Sequence, residues 1–433
     1  MNRAVRIVLA IATLVIIGGV VAGIALLPDD EEVRLRLSAE LQRRSPVHIT
    51  LGSVHWRLLP TPALTVTNIR SRQPEPVVIE RLTAYPGLRA FLLRGRLEID
   101  RLQIDGARIP TASLRAFRRE EPAGRPAPSV DGIPLHSVRF RNLIWISRTG
   151  VGLPLEGDID FQRQWRPGSV RVRRPGFTPA TTLDLVRSGR LDEWRVTVAL
   201  GGGSADGSVR LTETAERGLQ VTGELAPRNI DVAVAAASLK RRSPIGGKAN
   251  GRTRVGAAGR TAGDLGSSLR LRSEVKVAAA QILRIDVDHA IRTLGRERAG
   301  TTRLKSLDAV MDIQNTPEGT VTRYREIVAV GDTFTATGDA TVFNRRVEGE
   351  GKIKVLKDAV EIPFHVSGPT RKVDVSVPPG VVAGAVAGTL LFPVVGTVVG
   401  AKIGAAAHDP DAAPAAPPGT PQFVPTPLSV QAP

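Results

Sequence analysis

The alternation of apolar and polar residues carries most of the structural signal in this chain. In VDVSV (373–377), Val373, Val375 and Val377 alternate with Asp374 and Ser376. Such a period-two pattern gives a strand one dry and one wet face, because successive side chains point to opposite sides. HSVRFRNLIWIS (136–147) predicts a strand with Val138, Phe140, Ile144 and Ile146 on one face. RVTVAL (195–200), SVRLT (208–212), LQVTGEL (219–225) and LRLRSEVKV (269–277) alternate likewise, with Val198 and Leu271 among the apolar positions. KSLDAVMDI (305–313) aligns Leu307, Ala309, Met311 and Ile313. Breaks such as RRPG (173–176), GGGSADG (201–207) and TPEGT (316–320) supply the turn residues that hairpins need.

Four short helices are expected. Residues 31–44 form one, and PGLRAFLLRG (86–95) starts with proline and stops at glycine. DVAVAAASLKR (231–241) and DVDHAIRTLG (286–295) each open with an aspartate able to cap the first turn. The Pro- and charge-rich stretch 118–132 reads as a linker between a β region at 29–117 and a second at 133–379. Residues 405–433 are proline- and alanine-rich and are expected to be disordered. The fold class is therefore mainly β (α+β), with few helices. Four short helices cannot cover so many dry strand faces, and an apolar sheet face must be buried against something. Either two sheets pack face to face, or one long sheet curls with something else on its dry side.

Two apolar segments lie outside this pattern. Ile7 to Leu27 follows Arg3 and Arg6 and precedes the acids Asp29 to Glu32. About 21 apolar or small residues match the ~20 needed to cross a bilayer core. The charge step puts the N-terminus in the cytoplasm and the rest outside. A cleaved signal peptide has a shorter apolar region and a small-x-small site, which Ala-Leu-Leu-Pro is not. Residues 1–28 thus read as a retained transmembrane anchor. The second segment, 380–404, repeats glycine every four residues at Gly380, Gly384 and Gly388, and again at Gly396, Gly400 and Gly404. Glycines four apart share a helix face and let apolar helices approach closely. Pro393 divides it into halves too short to span alone. A kinked span, a re-entrant hairpin and a cap on the end of the sheet all fit this glycine-zipper pattern, with membrane insertion favoured.

Composition narrows the function. No cysteine occurs, which excludes disulfides, thiol catalysis and thiolate metal sites. The net charge of +17 comes almost wholly from arginine, since the nine lysines begin only at Lys240. Such a surface favours anionic partners. Single-stranded nucleic acid needs aromatic stacking platforms, and aromatics are only 4% of the chain. No nucleic acid partner is expected, and anionic lipid headgroups suit the charge better. His48, His55, His136, His289, His365 and His408 are scattered, without paired-ligand spacing. GGGSADG lacks the second glycine of a nucleophile elbow, and SPIGGKAN lacks the first glycine and the hydroxyl of a P-loop. In IDVD (285–288), Asp286 reads as a helix cap and Asp288 as a first-turn acid. No catalytic residue, cofactor or metal site is expected, and the chain does not read as an enzyme.

The segments LQRRSPVHITLGSVHWRLLPTPALTVTNIRS (41–71), AYPGLRAFLLRGRLEIDRLQIDGARI (84–109) and ILRIDVDHAIRTLG (282–295) resemble parts of the AsmA-like family of bacterial envelope proteins. So do TTRLKSLDAVMDIQNTPEGT (301–320) and ATGDATVFNRRVEGEGKIKVL (336–356). Arg284 stands where the family pattern has glycine, and the aromatic expected after Thr301–Thr302 is missing. The resemblance implies a bridge-like lipid-transfer protein, anchored in the inner membrane with its bulk in the periplasm. It implies a long twisted antiparallel sheet curled into an apolar groove for phospholipid acyl chains. Phospholipid transport or outer-membrane assembly would be the function, with membrane lipids and envelope proteins as partners. Val138, Phe140, Ile144, Ile146, Val198, Leu271, Leu307 and Met311 are the expected lining. About 340 residues at ~14 per strand and turn give ~24 strands, or ~115 Å of sheet at ~4.8 Å spacing. The alternative is a non-enzymatic envelope scaffold that positions assembly factors and binds no lipid.

Overall fold

The computed structural model describes residues 29–376, apart from 58–60, 88–97, 116–133, 163–165, 190–191, 215–217, 261, 288, 290–298, 317, 356–359 and 371–372. The anchor, the glycine-zipper segment and the tail lie outside the described residues. So do the expected linker and nearly all of the helix expected at 86–95. Among the described residues, no helix is long and apolar enough to cross a membrane.

The chain is mainly β. Helix α1 (Asp30–Arg44) leads into strands β1 (Ile49–Thr50), β2 (Val54–Arg57), β3 (Ala63–Ser71), β4 (Val78–Pro86) and β5 (Ile99–Pro110). Next come β6 (Leu135–Ile146), β7 (Gly152–Phe161), β8 (Pro167–Arg173), β9 (Thr182–Arg187), β10 (Glu193–Leu200) and β11 (Gly203–Thr214). Strands β12 (Gly218–Arg228) and β13 (Ile230–Asp231) precede helix α2 (Val232–Ser238). Strand β14 (Ile245–Gly259), helix α3 (Ala262–Ser267), β15 (Arg270–Leu283) and β16 (Thr301–Arg303) follow. The last strands are β17 (Ser306–Asn315), β18 (Thr320–Val330), β19 (Phe334–Phe343), β20 (Arg346–Val355), β21 (Val360–Pro369) and β22 (Asp374–Ser376).

All twenty-two strands hydrogen-bond into one sheet. Two separate sheets are not formed among the described residues. In three places two strands share a position: β1 with β2 beside β3, β12 with β13 beside β14, and β16 with β17 beside β15. Nineteen lateral positions remain, or about 86 Å measured along the sheet at ~4.8 Å spacing. That is shorter than the ~115 Å expected from strand length, because the observed strands run to 15 residues.

Among the described residues one pair of strands is parallel. β5 and β6 align Ile99 with Leu135 and Pro110 with Ile146. A parallel return needs a crossover. Residues 111–134 make it, beginning with a 3-10 turn at Ala112–Arg115. The stretch 118–132 falls within this connection in sequence. One apolar cluster runs across it, from Val33 through Leu102 and Val138 to Phe161.

Helix α1 builds that cluster from one side. Val33, Leu37 and Leu41, four residues apart, are buried against the first strands. Asp30, Glu31 and Glu32 occupy its positive first turn. The caps expected further along are present. Asp231 accepts from the Val234 N–H at 2.9 Å, and Asp286 from the His289 N–H at 2.8 Å. Helix α2 ends at Ser238, earlier than the expected 241, and the helix expected from Asp286 is described only in its first turn.

A line of irregular backbone crosses β3 to β6. Asn68, Gly106 and Asn142 have φ of 52°, 67° and 51°. That left-handed region suits glycine and asparagine. Glu80 of β4 lies level with them, between the pairs Ile79–Ala107 and Arg81–Asp105. Each strand slips one residue there, so Val66 and Ile69, or Phe140 and Leu143, stay on one face.

Glycine is required where strands approach closely. A Cβ on Gly207 would press on the Glu224 carbonyl oxygen and come 2.8 Å from the Leu225 Cα. Gly207→Ala is expected to cost about 1–3 kcal/mol, as overpacking does. Urea unfolding checks this; unchanged or raised stability would contradict the register of β11 on β12.

Candidate binding face

The register sorts the sheet into two chemically different faces. Directly opposite residues in neighbouring strands share a face. One lateral row starts Trp56–Leu64–Ala84–Leu102–Val138–Ile159 across β2 to β7. It continues Val170–Leu185–Val196–Gly207–Leu225 through β12. Then come Thr253–Ser273–Met311–Tyr324. Ala340–Gly349–Val366–Val375 complete it at β22. The row contains no charged residue over all nineteen lateral positions.

The opposite face is charged and polar. Its rows include Gln103–Arg139–Asp158–Arg171–Asp184–Thr197 in the first half. Glu224–Arg254–Arg272–Asp312–Arg323 run across the second. Cross-strand ion pairs lie on it, with Arg171 on Asp184 at 2.8 Å and Arg254 on Glu224 at 3.6 Å. These pairs are exposed and each contributes little, ~0–1 kcal/mol. Their consequence is that this face is soluble while the other is not.

The face that carries this row, called the uncharged face although Arg187 and Glu213 fall on it at one margin opposite Trp194 and Leu219, is unevenly covered. Its first third is a filled core: Leu102 is 0% exposed, and Val138 and Phe140 are buried in the same cluster. From β8 onward the face opens. Val170, Val172, Leu185 and Val198 are only half-buried, and Leu183 is 37% exposed. A second cluster around Ala280, Leu304, Ala329 and Phe334 closes one margin near β15 to β19, with Leu307 packed against it.

The expected lining residues separate accordingly. Val198, Leu271, Leu307 and Met311 are half-buried on the uncharged face. Val138 and Phe140 share that face but belong to the closed core. Ile144 and Ile146 do not share it. The bulge at Asn142 puts Leu143 and Trp145 there instead, and Ile144 pairs with Arg108 on the charged face. Sequence alternation missed the strands β8 and β9, whose SVRV (169–172) and LDLV (183–186) carry the most open part of the face. The glycines of 380–404 lie outside the described residues.

The histidines stay dispersed. His55 pairs with Asp30 at 2.9 Å and His136 with Glu98 at 3.1 Å, joining neighbouring elements. Among the described residues, no group of three or more metal-ligating side chains gathers. Asp286 serves as a cap, as expected, and the Thr302 hydroxyl beside it accepts from the Val287 N–H at 2.8 Å.

Tyr324 is the one titratable group in the uncharged row. Burial pushes its phenol above the ordinary tyrosine range, opposed by the charge of Arg241. Folding therefore favours the neutral phenol. The associated stability is complete below ~10, the unfolded value, and is lost as pH rises through the folded value. In a Tyr85→Phe variant, which leaves one tyrosine, ultraviolet titration should show ionisation above that of free tyrosine. Ionisation at the free value would contradict a dry environment on this face.

Comparison of the chain with known proteins finds no matching family model, no matching curated protein and no matching solved structure.

Proposed function

We propose that this protein is a lipid-binding envelope protein, held in the inner membrane by its N-terminal apolar segment with the sheet in the periplasm. Acyl chains lie along the uncharged face, and the protein takes part in phospholipid transport or outer-membrane assembly. The observation that carries this reading is the row of nineteen positions without a charge, backed by a charged opposite face. Among the described residues the helices, of 15, 7 and 6 residues, are too short to cover it. Each CH2 removed from water contributes ~0.8 kcal/mol, so acyl chains are natural occupants of a face that the described residues leave open.

Curling of the sheet is part of the proposal. Neighbouring strands twist by ~20°, so nineteen positions accumulate on the order of 360°, and sheets beyond ~10 strands curl or split. A contact between distant turns supports this. The Arg345 guanidinium, in the β19–β20 turn, donates to the Thr149 carbonyl in the β6–β7 turn, 196 residues away. On a flat sheet those strands would lie about 48 Å apart. Arg284 adds support for the AsmA-like resemblance. It stands where that pattern has glycine, and its φ of 72° is the left-handed conformation that glycine adopts most readily.

Native mass spectrometry of the full-length chain tests the reading. After detergent is stripped, the expected result is protein ions carrying phospholipid. Ions free of lipid at every activation energy would favour the scaffold function instead.

A further inference from the structure

Two loops at neighbouring strands share one margin of the sheet. The first, residues 239–244, runs from α2 into β14, and the second leaves β15 after Leu283. Ile245 and Ile282 lie directly opposite, and the Leu283 N–H donates to the Pro244 carbonyl at 2.8 Å. The Thr302 hydroxyl of β16 fixes the second loop, donating to the Ile285 carbonyl at 2.7 Å and accepting from the Val287 N–H at 2.8 Å. Each loop presents a bulky aliphatic side chain to solvent: Leu239 is 43% exposed and Ile285 45%. Lys240, Arg241, Arg242 and Arg284 flank them in sequence and are all exposed.

Two of these cations stand where glycine would fit more easily. Helix α2 ends in a Schellman turn, with the Lys240 N–H on the Ala237 carbonyl at 2.9 Å and the Arg241 N–H on the Ala236 carbonyl at 2.8 Å. Lys240 takes the left-handed position of that turn with φ of 53°, and Arg284 has φ of 72°. Such outliers point to a use for the side chain rather than for the turn. The dipole of α2 accounts for a cation just beyond its end, and for neither Arg284 nor the two exposed aliphatic side chains. In the described part of these loops the one acid is Asp286, and its carboxylate caps the His289 N–H at 2.8 Å. At the opposite margin, by contrast, Arg166 and Arg187 are matched by Asp192 and Glu213.

We propose that the 239–244 and 284–287 margin docks on a bilayer surface rich in anionic lipid, with Leu239 and Ile285 entering the headgroup region and the four cations beside phosphates. Charge complementarity selects this partner. An anionic bilayer attracts basic side chains, and apolar side chains among them sink into its interface. A nucleic acid would match the cations and leave the two aliphatic side chains without a partner. The contact is separate from the uncharged row and does not depend on lipid carried there.

The chain has no cysteine, so a single introduced one can carry a polarity-sensitive dye. Full-length Leu239→Cys and Ile285→Cys chains, labelled and reconstituted in phosphatidylcholine vesicles, are mixed with vesicles of phosphatidylcholine alone or with added phosphatidylglycerol. Both dyes should shift to the blue when phosphatidylglycerol is present and stay unchanged when it is not. Val186, 55% exposed on the charged face opposite Ser169 and Arg195, supplies the control, and a dye at Val186→Cys should not respond. Each cation beside such a surface contributes about five-fold, so replacing Lys240, Arg241 and Arg242 together by Gln should lower vesicle affinity by about a hundred-fold. Replacing Arg254, Arg272 and Arg323 of the charged face removes the same net charge and should lower it by less than about three-fold, because charges far from the contact are screened. Equal shifts with and without phosphatidylglycerol, or equal shifts at all three positions, overturn the docking surface. So does an equal loss of affinity from the two sets of substitutions. No shift at 239 and 285, together with disulfide-linked dimers of the unlabelled Ile285→Cys chain, gives the margin to a second copy instead.

Discussion

Leu102→Asp is expected to prevent the chain from folding. Leu102 is 0% exposed and sits mid-row between Ala84 and Val138, in the cluster closed by α1. The substitution removes a fully buried leucine, worth about 1.5–3 kcal/mol, and puts a carboxylate inside an apolar cluster. An unpaired buried polar group adds several kcal/mol, and an ionised one more. Native domains have only ~5–15 kcal/mol to lose. Circular dichroism and protease resistance should show an unfolded or degraded chain. A folded Leu102→Asp protein would mean that the first third of the face is not a closed core.

Leu183→Asp is expected to do the opposite: the fold survives and the lipid is lost. Leu183 occupies the same face, between Val172 and Val198, but is 37% exposed. Its new carboxylate can keep its hydration, so the cost to stability is about 1 kcal/mol, within the ordinary range for a substitution. An acyl chain crossing β9 would now have to dehydrate that charge or lose contact with the face. The expected result is a melting temperature within a few degrees of wild type and lipid content reduced by about ten-fold or more. Unfolding at Leu183 as severe as at Leu102 would show that the face is covered by protein throughout.

The contrast between these two leucines marks what the sequence made readable. Alternation identified β6, β10, β11, β12, β15, β17 and β22, because a one-sided strand has to repeat every two residues. The caps at Asp231 and Asp286 were readable because one side-chain oxygen satisfies one backbone N–H locally. Ile144 and Ile146 were assigned to the wrong face because a single left-handed residue, Asn142, shifts the phase. An asparagine between Arg141 and Leu143 looks like an ordinary wet-face residue. The parallel pairing of β5 with β6 was unreadable for a different reason. Nothing local in Ile99–Pro110 encodes that its neighbour lies 24 residues further along the chain. The face as a whole was legible only in pieces. Its continuity is a property of register, and register is set by contacts between strands distant in sequence.

Leu183 and Asp184 are neighbours in β9 that point to opposite faces, Leu183 level with Val172 and Val198, Asp184 level with Arg171 and Thr197. A photoreactive amino acid placed at either position in the full-length chain, irradiated in living cells, makes the most direct test of where lipid lies. Mass spectrometry of the purified products should find phospholipid adducts at position 183 and none at 184. Adducts at both positions in equal amount, or at neither, would contradict a lipid path along the uncharged face.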